Sequence, residues 1–248
     1  MALGLALSGL LTPAPAAARE CSTALVLAID VSSSVDEREY RLQTDGLANA
    51  FRDREVIDAI LRGGTSGIWV TVLYWSGYPH QDVRIRWTPL FSEAEIASFA
   101  TAVENIERIY HSFPTAAGKL LETVPGLWTP DTLACGRLVV DVSGDGVTND
   151  GPAPGPFRDS ITDSGVTING LVIKGAFPDP ESHYYKEIIG GPGAFVEIAE
   201  GFEDYARAIR RKLIRELNPF VAEAPVLERG MARSVAPSLT SYQTGTDH

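Results

Sequence analysis

The sequence predicts an α/β protein: a doubly wound, mostly parallel six-stranded sheet with one antiparallel edge strand and helices on both faces. Three observations carry this expectation. Short apolar runs alternate with stretches of helical periodicity along most of the chain. Two of the runs, Ile68–Trp75 and Val83–Trp87, are joined by a turn beginning Ser76-Gly77-Tyr78-Pro79 and read as an antiparallel hairpin at an edge. The first and fourth runs each end in an acidic turn, at the end of the sheet where parallel α/β folds bind ligands.

In chain order, Thr23–Asp30 is the first strand, with Ala24 to Ile29 wholly apolar. Asp36 to Phe51 follows with Tyr40, Leu47 and Phe51 near helical spacing. After the hairpin, Ser92 is an N-cap and Glu95 stands at the capping-box position of a helix expected to reach about Ile109. Thr115–Val124 is the next helix, with Leu120, Leu121 and Val124 behind its first turn. Arg137–Val142 and Val166–Ile173 are strands, separated by a helix at Pro154–Ser164. Glu181–Ile189 is helical, Ala194–Ile198 is the last strand and Phe202–Leu217 the last helix. The first and fourth strands are expected to be parallel neighbours.

The ends of the chain have a different character. Ala2 to Leu11 is apolar apart from Ser8, and Ala14-Pro15-Ala16-Ala17-Ala18 follows. This pattern is that of a signal-peptide h-region and cleavage site, so residues 1–18 read as a leader and the protein as exported, to the periplasm or outside the cell. The run is too short for a membrane span, which needs about 20 apolar residues. Residues 22–217 read as the folded domain, expected to be monomeric. Residues 218–248, with Pro219, Pro225 and Pro237 and a Ser/Thr-rich close, read as a flexible tail. The net charge of −11 over 248 residues excludes the Lys/Arg surface that a nucleic-acid backbone requires and disfavours docking on anionic lipid.

Two cysteines, Cys21 and Cys135, lie just before the first and fourth strands. With those strands as parallel neighbours both fall at one end of the sheet, which makes a disulfide reasonable and suits an exported protein. The alternative is two free thiols.

The chemistry concentrates in Asp30-Val31-Ser32-Ser33-Ser34. A carboxylate and two hydroxyls at alternate positions, where a strand becomes a loop, offer hard oxygens to a small hard dication such as Mg²⁺. The competing reading is that Ser34 or Asp36 caps the following helix. Further along come Pro114-Thr115 at a helix start and Ser143-Gly144-Asp145-Gly146 after the fourth strand. Thr65, in Gly63-Gly64-Thr65, precedes the second strand and would lie at the wrong end of the sheet.

These three pieces, in this order, resemble the metal-ion-dependent adhesion site of von Willebrand factor type A domains. The resemblance implies Asp30, Ser32, Ser34, Thr115 and Asp145 around one ion. Ser32 and Ser34 would ligate directly, Thr115 directly or through water, and Asp30 and Asp145 mainly through water. Magnesium is the preferred ion, with manganese or calcium also accommodated. Asp30 to Tyr40, Trp75-Ser76-Gly77, Asp141 to Gly146, Thr167 to Leu171 and Ile188 to Phe195 resemble a bacterial branch of these domains catalogued as a domain of unknown function. That similarity covers roughly Ser22 to Leu217.

Other candidates are weaker. His80, His111, His183 and His248 are scattered. Ser143-Gly144-Asp145-Gly146 is not a hydrolase nucleophile elbow. Trp75 and Trp87 read as core. Arg207, Arg210, Arg211, Lys212 and Arg215 read as the solvated face of the last helix. Asp141 shares a face with Val139 and Ser143 in a buried strand and needs a partner. It either orients Ser32 or a metal-bound water, or pairs with an arginine from a neighbouring helix. The function expected is a metal-dependent, non-enzymatic binding module for a protein or other macromolecule, with the partner's Asp or Glu completing the ion's coordination. The alternative is a Mg²⁺-dependent hydrolase or phosphoryl-transfer enzyme using the same carboxylates.

Overall fold

The structure, a computed structural model, describes residues 20–64 and 66–218. Residues 1–19, Thr65 and residues 219–248, which take in the expected leader and nearly all of the expected tail, lie outside the described residues. The strands are β1 (Glu20–Asp30), β2 (Ser66–Trp75), β3 (Gln81–Leu90), β4 (Leu138–Gly144), β5 (Thr167–Ile173) and β6 (Val196–Ala199). They form one sheet in the order β3-β2-β1-β4-β5-β6. Every neighbouring pair is parallel except β2 and β3.

The helices are α1 (Glu37–Arg52), α2 (Arg54–Leu61), α3 (Glu93–Glu104), α4 (Ala117–Thr123), α5 (Pro130–Leu133), α6 (Gly155–Asp163), α7 (Glu181–His183) and α8 (Tyr205–Leu217). Helix α7 runs into a single π turn, Tyr184–Ile188. Apolar residues of alternating parity on β1 point into two separate cores. Leu25, Leu27 and Ile29 pack with Leu47, Phe51, Phe99 and Leu213 on the α1/α3/α8 face. Val26 and Ala28 pack with Leu120, Leu121, Ile161 and Tyr184 on the α4/α6 face. A sheet covered on both sides explains why its central strands read as unbroken apolar runs.

Several boundaries moved. Asp53 ends α1 and caps α2, accepting from Glu55 and Val56 N–H, so a second helix begins where the sequence reading stopped at Phe51. Helix α3 ends at Glu104, not Ile109, and the chain from Asn105 to Ala116 is a loop apart from its own turns.

Strand β1 is central, pairing Asp30 with Trp75 of β2 and Ile29 with Ser143 of β4. Strand order reverses here: chain connections run outward from β1 to β2 and from β4 to β5 on opposite sides. The carboxyl ends of β1 and β4 therefore flank the crevice where this architecture seats ligands. At the opposite end Cys21 and Cys135 form a disulfide, with Cα atoms 4.7 Å apart. On the chain-entropy account a loop of this size stabilises by up to about 4.7 kcal/mol.

Candidate metal centre

Asp30 closes β1 and is fully buried. The backbone then turns sharply, with the Val35 N–H donating to the Ser32 carbonyl at 3.1 Å. Helix α1 is capped by Asp36 in a reciprocal box with Glu39, at 2.8 Å in each direction. Because Asp36 does the capping, Ser32 and Ser34 are free for other partners. Their hydroxyls lie 3.1 Å apart, and Ser34 donates to Asp145 Oδ1 at 2.8 Å. Thr115 donates to Ser32 Oγ at 3.2 Å. All five residues singled out from the sequence thus converge on one small cluster of oxygens.

Three loops hold it. The Ser33 N–H donates to the Phe113 carbonyl at 2.8 Å, joining the first loop to the one that carries Thr115. Thr115 is locked to the third loop from both sides: its N–H donates to Asn149 Oδ1 at 2.8 Å, and its carbonyl accepts from Asn149 N at 2.9 Å. The Arg108 guanidinium, almost wholly buried, donates to the carbonyls of Ser32 and Val35. Arg108 and Asn149 were not found by the sequence reading. Arg108 falls in a stretch read as helix, and neither residue belongs to a local pattern.

The electrostatics are unbalanced. Burial, and then the neighbouring charge of Asp145, push the Asp30 carboxyl up to about 7 against a weaker opposing pull from Ser32 and Arg108. Burial also raises Asp145, against its bond from Ser34. Asp30 Oδ1 accepts from Ser32 N at 2.8 Å, but Oδ2 is buried with no hydrogen-bond partner. An orphaned buried carboxylate oxygen is costly, and a cation relieves it. The donor set is hydroxyl and carboxylate oxygen only, which suits a hard dication rather than zinc-type nitrogen or sulfur ligation. Among the described residues no cluster of three or more His, Cys, Asp or Glu offers an alternative metal site.

The match to the family described as "Protein of unknown function (DUF1194)" spans residues 20–221. The chain belongs to that family. Its fold is that of von Willebrand factor type A domains, as solved structures show. Proximal thread matrix protein 1 from the mussel byssus, solved "with zinc occupied MIDAS motif", aligns with a TM-score of 0.59 at 15% identity, over 79% of this chain and 46% of that one. A von Willebrand factor type A protein from Catenulispora acidiphila gives 0.56 at 17% identity, over 80% and 43%. BatB from Bacteroides thetaiotaomicron gives 0.53 at 16%, over 80% and 100%. The chain therefore spans less than half the length of the first two. Among curated proteins none matches it.

Asp141 lies away from this cluster. Its partner is Lys212 of α8, with Nζ 2.6 Å from Asp141 Oδ1 and 2.6 Å from Glu216 Oε1. Lys212 is fully buried. Both expectations are corrected: the partner is a lysine rather than an arginine, and Lys212 is not on the solvated face of α8. The arginines around it do stay outward, pairing with Asp53, Glu197 and Asp204. The other candidates are placed as follows. His183 Nε2 is engaged by Thr148, and His80 packs at a tilt against both Tyr110 and Phe113, which also touch each other. Trp75 is buried, and Trp87 stacks on Trp128.

Proposed function

We propose that the protein is a divalent-metal-dependent binding module that recognises an acidic group on a protein or other macromolecular partner. One observation carries this reading. Five hard-oxygen side chains from three loops converge at the sheet's carboxyl end, and the buried Asp30 Oδ2 among them lacks a partner. Asp30, Ser32, Ser34, Thr115 and Asp145 would hold the ion, with Mg²⁺ preferred on the chemistry of the donors. When bound, the ion supplies a positive coordination position that a partner's carboxylate completes. The chain's own residues supply the cradle. Ser34 orients Asp145, Ser32 N–H fixes Asp30, and Arg108 and Asn149 hold the loops.

The surroundings support recognition. Tyr78, Ile109, Phe113, Phe177 and Tyr185 are large apolar residues left exposed, and all lie in loops or turns at the cluster's end of the sheet. Apolar side chains exposed on the loops of the ligand-binding end offer contact area to a partner that reaches the cluster. The zinc in the mussel protein's like-named motif adds support for a divalent ion of some kind. The disulfide fits an oxidising compartment, to which the leader in residues 1–18 would direct the domain of residues 22–217. Among the described residues no helix is long and apolar enough to cross a membrane.

Titration calorimetry with Mg²⁺ and Mn²⁺ should give one site. Pull-down from an envelope fraction should recover a partner that chelator releases. Recovery that is indifferent to chelator, or turnover of a phosphate ester that depends on Asp30, would sink this reading.

A further inference from the structure

Asp30 Oδ2 has a counterpart. Tyr184, on the π turn after α7, is buried, and its hydroxyl is likewise without a hydrogen-bond partner. Both oxygens face one residue: a Cβ placed on Gly144 would stand 2.8 Å from Asp30 Oδ2 and 2.8 Å from Tyr184 Oη. The two oxygens therefore lie no more than twice that distance apart, yet do not bond to each other. The tyrosine ring is seated by a second glycine. A Cβ on Gly170 of β5 would stand 2.7 Å from Tyr184 Cδ1, so only glycine lets the ring lie this close to the sheet. Two glycines thus clear space for a buried hydroxyl beside a carboxylate oxygen that no protein group satisfies. Packing alone does not account for the hydroxyl, since phenylalanine would fill the same space without an orphaned polar atom.

We propose that Tyr184 is a positioning residue of the metal centre, donating to a water that it shares with Asp30 Oδ2. Ser32 N–H holds Oδ1 and the tyrosine-bound water holds Oδ2, so the carboxylate is fixed at both oxygens. Groups that orient metal-binding carboxylates typically change affinity 10–100-fold when removed. This assignment rests on the proposed reading of Asp30 as part of an ion site.

The test is Tyr184→Phe, measured two ways. Mg²⁺ and Mn²⁺ affinity should weaken about tenfold by calorimetry. The unfolding midpoint of the chelated protein should stay close to that of the wild type, because the lost bond is to a water and not to another protein group. Gly144→Ala should lose affinity in the same way by filling the shared space. Unchanged affinity in Tyr184→Phe overturns the assignment. So does an electron-density map of the wild-type protein with no water between the two oxygens. A wild-type protein that binds neither ion removes the metal reading itself, and this assignment with it, whereas wild-type binding with an unaffected Tyr184→Phe removes only the latter.

Discussion

Asp141 and Glu216 lie between the sheet and α8 with Lys212 held between them; Asp30 and Asp145 lie at the sheet's carboxyl end with three hydroxyls between them. These are the four buried carboxylates among the described residues. The first pair meets its counter-charge inside the chain, and Asn169 Nδ2 adds a bond to Glu216 at 2.9 Å. Asp141 Oδ2 and Glu216 Oε2 make no hydrogen bond, but a buried ammonium stands beside those carboxylates. The second pair meets hydroxyls, one backbone N–H and a distant arginine, and its open oxygen, Asp30 Oδ2, has no such cation beside it. Burying a carboxylate demands compensation. Where the chain supplies the cation, the result is a structural clasp between β4 and α8. Where it does not, the arrangement calls for a cation from solution. The same residue type in the same sheet is thus assigned to architecture or to coordination by what faces it.

The comparison breaks most visibly at Lys212. Lys212→Met leaves two buried carboxylates without their cation and should cost about 3–5 kcal/mol in urea unfolding. Adding Asp141→Asn and Glu216→Gln to it should recover most of the loss. At the other pair, Mg²⁺ at about a hundred times its Kd should stabilise the wild-type protein by about 2.7 kcal/mol. Asp30→Asn should abolish that gain while leaving the chelated protein at least as stable as wild type. A metal-free Asp30→Asn that unfolds more easily would show that the carboxylate serves the fold rather than an ion.

Acidity sharpens the contrast. Asp30 and Asp141 are both pushed from 3.8 up to about 7, chiefly by burial, with Asp145 facing the first and Lys212 and Glu216 the second. Between those values the folded protein holds protons that the unfolded chain has released. In chelator, stability should therefore fall as pH rises from about 4 to about 7. Divalent-ion affinity should climb over the same window, because the proton leaves Asp30, and in chelator Asp30→Asn should remove that residue's share of the stability loss while leaving that of Asp141. The smallest effect is expected at Asp36→Ala. Losing the α1 cap should cost about 1 kcal/mol in thermal unfolding and leave ion affinity near wild type, separating the capping residue from the neighbouring serines.

The sheet was legible because a strand buried on both faces needs an uninterrupted apolar run, and Ala24 to Ile29 and Leu138 to Val142 supply it with one exception. The exception, Asp141, was visible as an anomaly, but its partner was not. Lys212 sits among four arginines with the same periodicity, and only the packing of α8 reveals which cation turns inward. The five candidate ligands were legible because they occupy three short patterns in a fixed order. Arg108, Asn149 and Tyr184 were not, since each reaches the cluster through tertiary geometry and follows no local spacing rule. Helix α2 did leave a signal, with Asp53 ahead of Val56, Ala59 and Ile60 at helical spacing. The break after Arg52 obscured it.

The disulfide has a mechanical consequence. It joins the far ends of β1 and β4, the two strands whose opposite ends carry Asp30 and Asp145. Tension drawn through the amino-terminal end of β1 passes at Cys21 into β4 as well, so two central strands take the pull together. Sliding one along the other would have to stretch a covalent bridge as well as shear a hydrogen-bonded ladder. The spacing of the two acidic turns is therefore insulated from a tug on that end of the domain, and a reducing agent would remove the insulation without altering a single oxygen in the cluster.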